Sequence, residues 1–151
     1  MKIIPKKISI VVANFYPDIS LELLKGAENE LKKKKFKKMN TNTEFCLEEK
    51  ISCYKIVKVP GIFEIPVASA KEIEKSDGII ALGCVIKGKT PHFDFISKSA
   101  TDGIMNLSIQ YKKPIGNGIL TCLNKKQAEE RANTKKKNKG KDAALATLSL
   151  I

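Results

Sequence analysis

Apolar residues follow two patterns along the chain. Four short segments, Ile8–Ala13, Tyr54–Val59, Gly78–Leu82 and Ile115–Thr121, are rich in apolar residues, which is typical of buried strands. Between them, apolar residues recur three and four positions apart, as on one face of an amphipathic helix. Strands that alternate with helices predict a parallel sheet with right-handed crossovers and helices on both faces.

Residues that favour helix starts support this order. Ser20, the pair Thr90–Pro91 and Asn124 are each placed to cap or open a helix. Two further helices are predicted over residues 64–73 and 142–150. The order β-α, repeated four times, predicts a three-layer α/β/α sandwich with a four-stranded parallel sheet, which forms a single domain over residues 1–151.

The loops that follow the strands are the expected place for a ligand. In open parallel sheets, ligands bind beyond the carboxyl ends of the strands. Here those ends lead into residues 14–18, 60–64, 83–92 and 121–124. We therefore expect the functional side chains in these four segments.

The chain is strongly basic, with a net charge of +12. Such a charge is compatible with a surface that binds nucleic acid or phosphate. Of the 28 cationic residues, however, only Arg131 is an arginine, and nucleic-acid readers usually exploit the bidentate arginine fork. We therefore interpret the lysines as a solvated surface and expect no nucleic-acid partner.

Neither a membrane span nor a disulfide framework is predicted. No apolar stretch approaches the about 20 residues that cross a bilayer, and the amino terminus lacks the cleavage site of a signal peptide. The cysteines form no C-x-x-C pair, which argues against a zinc site or a disulfide scaffold and fits the reducing cytoplasm. They are Cys46, Cys53, Cys84 and Cys122.

Residues 83–90, GCVIKGKT, fit the phosphate-loop pattern G-x-x-x-x-G-K-[ST]. A working phosphate loop normally follows an early strand, and a second strand ends in an acid that helps to hold magnesium. Here the match follows the third strand, and the second and fourth strands end in Val59 and Thr121. A nucleoside-triphosphate site is therefore not expected.

Residues 88–91, GKTP, open a predicted helix, and this helix start alone still favours a site for a phosphate group. Peptide N–H groups and the positive end of the helix dipole favour an anion there, although an ordinary capped helix has the same pattern. His92, the only histidine, follows in the first turn. The dipole disfavours imidazolium and leaves the ring able to accept a proton; a structural or surface role is the alternative.

Four segments of the chain form a specific combination: VPGIFEIPVA (59–68), ALGCVIKGKTPHFDF (81–95), GILT (118–121), and ERANTKKKNKG followed by AALATL (130–148). Together, and in this order, they resemble the lumazine synthase family. The resemblance extends from Val11 to Leu148. It implies the flavodoxin-like form of the predicted sandwich, whose sheet the amino-terminal segment of a neighbouring subunit can extend.

The resemblance also implies an activity. Members of the family condense 5-amino-6-ribitylaminouracil with 3,4-dihydroxy-2-butanone 4-phosphate to give 6,7-dimethyl-8-ribityllumazine, phosphate and water, the penultimate step of riboflavin biosynthesis. An amine attacks a ketone, an imine forms, phosphate is eliminated, and the ring closes. No metal or organic cofactor is implied, and the substrate amine is the nucleophile.

Residue roles follow from the same resemblance. Phe15 corresponds to the aromatic residue that stacks on the pyrimidine, and the segment around Cys84 reads the pyrimidine through its backbone. Cys84 itself is expected to be a small buried thiol rather than a nucleophile. The full set for the pyrimidine and its ribityl chain is Phe15, Ile62, Phe63, Glu64, Cys84, Val85, Ile86 and Asn117.

The butanone phosphate has its own set. Lys89 and Thr90 match the pair that contacts the phosphate, and Arg131 matches the arginine that clamps it bidentately. His92 matches the residue that transfers protons, and Lys135 is an auxiliary cation. Asn117 departs from the usual phenylalanine, which keeps a catalytically weakened, shell-forming or ligand-binding homologue as the alternative.

Assembly is the last implication. The family forms pentamers with active sites between adjacent subunits, and many members join twelve pentamers into a hollow shell of 60 chains, which can associate with riboflavin synthase. We therefore expect a cytoplasmic homo-oligomer, at least a pentamer, with small-molecule substrates.

Overall fold

The computed structural model describes residues 4–40 and 50–151 and confirms an α/β sandwich with a parallel sheet. Cys46 and most of the polar loop around it lie outside the described residues. The strands are β1 (Lys7–Ala13), β2 (Lys37–Lys38), β3 (Cys53–Val59), β4 (Gly78–Ile86) and β5 (Ile115–Cys122). The helices are α1 (Pro17–Lys33), α2 (Ile65–Ile73), α3 (His92–Tyr111), α4 (Lys125–Ala132) and α5 (Lys139–Leu148), with a 3₁₀ turn at Ile62–Glu64.

The strands lie in the order β2-β3-β1-β4-β5, and every neighbouring pair is parallel. Helices α1, α4 and α5 cover one face, where Leu23 and Ala144 pack against β1 and β4. Helices α2 and α3 cover the other face, where Ile65 and Ile104 join a second core. Because both faces are buried, β1 and β4 consist almost entirely of apolar residues, as the sequence pattern predicted.

Within residues 4–40 and 50–151, the sheet has five strands rather than the predicted four. The additional strand, β2, is a two-residue edge strand in the lysine run, and the N–H of Lys37 donates to the carbonyl of Ser52. Lys38 lies 3.4 Å from the carboxylate of Glu28, which also accepts a hydrogen bond from the buried Tyr54 hydroxyl. These contacts are long-range, so the run gives no local apolar pattern to predict them.

Several helix starts differ from the predicted ones. Helix α1 begins at Pro17, and the Ser20 hydroxyl donates to the carbonyl of Ala13 instead of capping the helix. Helix α5 begins at Lys139 rather than at Asp142 because Asn138 caps it. The prediction for α4 is confirmed: the side chain of Asn124 accepts a hydrogen bond from the N–H of Gln127.

The order of the strands creates a switch point between β1 and β4. From the end of β1 the chain leads through α1 to β3 on one side, and from the end of β4 it leads through α3 to β5 on the other. The two connections diverge, which leaves a crevice at the carboxyl ends of these strands. Among the described residues, no helix is both long and apolar enough to cross a membrane.

We expect Gly116→Ala to destabilise the fold. A Cβ atom at this position on β5 would lie 2.1 Å from the carbonyl oxygen of Ala143 and 2.4 Å from Oγ1 of Thr147 in α5. Such overpacking costs on the order of 1–3 kcal/mol, which chemical denaturation at a fixed protein concentration measures. Gly88→Ala is the matched control, because no heavy atom beyond its two chain neighbours lies within 4 Å of the position that its Cβ would take. Equal unfolding free energies for the two variants would contradict the packing described here.

Candidate active site

A cleft of about 700 Å³ opens at the switch point. Residues that follow β1 and β3, the last part of β4 and the first turns of α3 form its walls. Its lining is mainly apolar and aromatic, with a few polar groups, as is usual for small-molecule sites. The lining residues are Phe15, Tyr16, Pro60, Gly61, Ile62, Phe63, Glu64, Cys84, Val85, Ile86, Gly88, Thr90, His92, Phe93 and Ile96.

The end of β4 brings peptide groups to the cleft. The pairing of β4 with β1 ends at Leu82, whereas its pairing with β5 continues to Ile86. The edge of residues 84–86 that faces β1 is therefore open to the cleft. This arrangement excludes a phosphate loop: the first half of the GCVIKGKT match is strand, not a loop wrapped around an anion.

Two exposed aromatic rings flank the cleft. Phe15, which follows β1, is 68% exposed and packs edge-on against Tyr16, with ring centroids 5.0 Å apart. Phe63, in the 3₁₀ turn after β3, is 65% exposed. Large apolar side chains that project from a cleft rim offer area for a planar ligand to stack against.

The 3₁₀ turn also places a carboxylate. Ile62 is buried in the core and holds the turn against the sheet. Glu64 is half-buried, and one of its carboxylate oxygens lies 3.1 Å from the position that a Cβ of Gly61 would occupy. The carboxylate is thus folded over the turn and lines the cleft, where it can accept hydrogen bonds.

The amino terminus of α3 opens onto the cleft. The helix begins at His92, with Pro91 at the N-cap position and no side chain that caps it. The prediction that Thr90 caps this helix is therefore wrong: the proline that was predicted as the first helical residue is itself the cap. Thr90 lines the cleft instead, next to His92. An uncapped helix start with the positive end of the dipole suits an anion.

A buried thiol, Cys84, lines the cleft, and a second, Cys122, lies beside it. Cys84 and Cys122, on the neighbouring strands β4 and β5, are 3% and 1% exposed. Burial, with a smaller contribution from the neighbouring Cys122 thiol, raises the pKa of Cys84 to about 12. Burial also raises the pKa of Cys122, and the nearby Arg131 guanidinium opposes that shift. Neither thiol has the lowered pKa of a cysteine nucleophile. Among the described residues, no three His, Cys, Asp or Glu side chains form a cluster that could hold a metal ion.

Comparison with known proteins identifies the family of the chain. The model of the family described as 6,7-dimethyl-8-ribityllumazine synthase matches residues 5–151. A protein of that name from Agrobacterium fabrum is 39% identical over 149 residues, which cover 94% of this chain and 90% of the relative. Another from Bartonella bacilliformis is 42% identical over 146 residues, which cover 94% of this chain and 86% of the relative. The chain belongs to the 6,7-dimethyl-8-ribityllumazine synthase family.

The structure brings most of the residues that the resemblance to this family singled out into one cleft. Seven of the eight candidate pyrimidine residues line it, together with Thr90 and His92. Lys89 is exposed on the same loop, between the lining residues Gly88 and Thr90. Sequence reasoning did not single out Tyr16, Phe93 or Ile96, which also line the cleft. Their positions next to Phe15 and in the first turns of α3 were the signal that could have found them.

Three candidate residues lie on other elements, away from the cleft. Asn117 is exposed on the edge strand β5, where its side-chain oxygen accepts a hydrogen bond from the N–H of Ile119. Arg131 lines a separate basic groove beside β5, and Lys135 lines a hollow with Glu22. Within one chain Arg131 and Lys135 are therefore apart from His92, whereas Lys89 lies on the loop that precedes it.

We expect the Cys84 thiol to resist alkylation in the folded protein. Because its pKa is raised, its thiolate fraction at pH 8 is far below that of a free thiol, and burial also blocks access. Peptide mass spectrometry after iodoacetamide treatment is expected to show labelling roughly a hundredfold or more slower in buffer than in concentrated urea. Similar rates in the two conditions would show that Cys84 is an accessible, reactive thiol.

Proposed function

We propose that the protein is a 6,7-dimethyl-8-ribityllumazine synthase, which condenses 5-amino-6-ribitylaminouracil with 3,4-dihydroxy-2-butanone 4-phosphate in riboflavin biosynthesis. The observation that carries this proposal is the single cleft that unites stacking aromatic rings, an open peptide edge, an uncapped helix start and His92. Family membership supplies the identity of the two substrates. The described residues give no support to a catalytically weakened homologue.

The pyrimidine occupies the cleft between the strand ends in this proposal. Its ring stacks on Phe15, and its polar edge meets the peptide groups of residues 84–86, because a heteroaromatic amide pairs well with peptide N–H and C=O groups. Glu64 accepts hydrogen bonds from the ribityl hydroxyls. Juxtaposition of the two substrates can contribute ~7–11 kcal/mol at the upper end.

The phosphate of the second substrate lies at the amino terminus of α3. Thr90 and Lys89 precede the helix and add a hydroxyl and a cation to its dipole. The ketone is then beside His92 and the pyrimidine amine. His92 moves protons during imine formation and phosphate elimination, which is worth ~10²–10⁴-fold in rate.

A second chain completes the site in this proposal. Arg131 is exposed beside β5 and lies outside the cleft that contains His92, so a neighbouring subunit brings its Arg131, with Lys135 and Asn117, to the phosphate and the pyrimidine. Helix α3 also exposes large apolar side chains, among them Phe95 at 68% and Ile109 at 66%. Such surfaces are typical of protein–protein contacts.

We propose a pentamer as the basic assembly, which can extend to a 60-chain shell that associates with riboflavin synthase. The cytoplasm is its proposed location, because the buried residues Cys84 and Cys122 are thiols outside any disulfide and such thiols persist in a reducing compartment.

The parent protein is expected to form a fluorescent lumazine from the two substrates, and His92→Ala is expected to slow turnover. The loss is expected within ~10²–10⁴-fold, because the bound substrates remain juxtaposed and water can transfer protons slowly. Lys98→Ala, an exposed residue of α3 that pairs with Asp102, is the matched control. An inactive parent would refute the proposed function. A His92→Ala variant within about twofold of the parent would refute the role of His92 alone.

Light scattering tests the assembly. A pentamer has five times the 16.7 kDa mass of the chain, and a full shell has twelve times the mass of the pentamer. Because each chain carries a charge of +12, association of pentamers is expected to strengthen as salt screens their repulsion. Measurements at low and high salt separate the two forms. A monomer at both salt concentrations would contradict a site that two chains share.

A further inference from the structure

Asn138 is a buried polar residue to which the proposed chemistry gives no role. It is 5% exposed and lies between α4 and α5, at the end of the segment that contains Lys135. Burial of a primary amide is costly unless its donors and acceptor are satisfied. Its hydrogen bonds therefore indicate what it holds in place.

The amide of Asn138 ties three helices together. Its Nδ2 donates to the carbonyl of Ala132, the last residue of α4, at 2.7 Å and to the carbonyl of Glu22 in α1 at 2.9 Å. Its Oδ1 accepts a hydrogen bond from the N–H of Lys141 in the first turn of α5 at 2.8 Å. Both donors and the acceptor of one side chain are thus used, each on a different helix.

The packing against α1 leaves no room for movement of this amide. A Cβ atom at Gly26 would lie 1.9 Å from Oδ1 and 2.7 Å from Nδ2 of Asn138. The absence of a side chain at Gly26 therefore creates the notch that the amide fills. Any larger residue there would displace Asn138 from its three partners.

The tie fixes the cations proposed for phosphate. Ala132 directly follows Arg131, so the bond to its carbonyl holds the end of α4 from which the guanidinium projects. The segment between Ala132 and Asn138 is further ordered where the side chain of Asn133 accepts from the N–H of Lys135 at 2.8 Å. Both ends of this short segment are held by one amide.

We propose that Asn138 is a positioning residue that sets the location of Arg131 and Lys135 for the butanone phosphate, an inference that rests on the proposed function. Asn138 acts through the backbone and does not touch the substrate. A displacement of about 1 Å in such a charged group can cost on the order of 10²-fold in rate. The effect falls on the phosphate substrate because the cleft that receives the pyrimidine is formed by other elements.

The variant Asn138→Asp separates this role from the capping of α5. A carboxylate still accepts from the N–H of Lys141 and suits a helix amino terminus, but it cannot donate to the carbonyls of Glu22 and Ala132. We expect KM for the butanone phosphate to rise about tenfold, while KM for the pyrimidine stays within about twofold. A residue that is only structural would change the unfolding free energy without this split.

Two further variants make the test decisive. Gly26→Ala displaces the same amide without adding a negative charge, and it is expected to give the same split between the two KM values. Asn124→Asp makes the same chemical change at the other end of α4, where the side chain only accepts a hydrogen bond, and no split is expected.

The outcomes distinguish this inference from the proposed function. If the parent is active and both KM values of Asn138→Asp stay near those of the parent or rise together, the positioning role is refuted. If the parent forms no lumazine, the function fails, and hydrogen exchange decides the structural part. Asn138→Asp must then accelerate exchange in residues 131–137 and Asn124→Asp must not; equal exchange in the two variants overturns the tie.

Discussion

The site depends on one constraint: strand β4 pairs with its two neighbours over unequal lengths. Two cores, one on each face, bury β4 between β1 and the edge strand β5, and β5 pairs with it to the end at Ile86. Because β1 stops pairing at Leu82, the last part of β4 keeps one edge open. The 3₁₀ turn and the start of α3 can then face this edge and close it into a cleft.

The groups proposed for the phosphate site are divided between separate parts of the chain. The cleft contains a histidine and a helix dipole, while Arg131 lines a groove beside β5 and Lys135 lines a hollow beside α1. In the proposed enzyme, assembly and chemistry are therefore one event, because no single chain holds a complete phosphate site. The helix contacts that orient Arg131 then belong to the interface as much as to the fold.

Much of the fold could be predicted because its strands are buried on both faces and so record their burial directly in runs of apolar residues. The two-residue strand β2 could not, since it depends on contacts between Lys38, Glu28 and Tyr54 that are distant in sequence. The cap at Asn124 could be predicted because its hydrogen bond is local. The Ser20 hydroxyl instead donates to the carbonyl of Ala13, which only the folded sheet brings near.

The same distinction applies to the site. The aromatic residue, the 3₁₀ turn and His92 follow strand ends or a helix start, so position in the chain indicated their convergence. The separation of Arg131 from the cleft reflects the outward placement of α4 beside the edge strand, and the importance of Asn138 depends on a missing side chain at Gly26 in another helix. Neither the position of Arg131 nor the packing of Asn138 against Gly26 can be predicted from a local sequence pattern.

The open edge of β4 also has an evolutionary consequence. Where peptide groups contact a ligand, an amino-acid substitution changes the contact little, because every residue except proline presents the same donor and acceptor. Substitutions at positions 84–86 can therefore leave the peptide groups of this edge in place, provided that the new side chains still fit the core and the cleft. Recognition through peptide groups depends on the path of the backbone. It can therefore persist in sequences whose side chains at these positions differ.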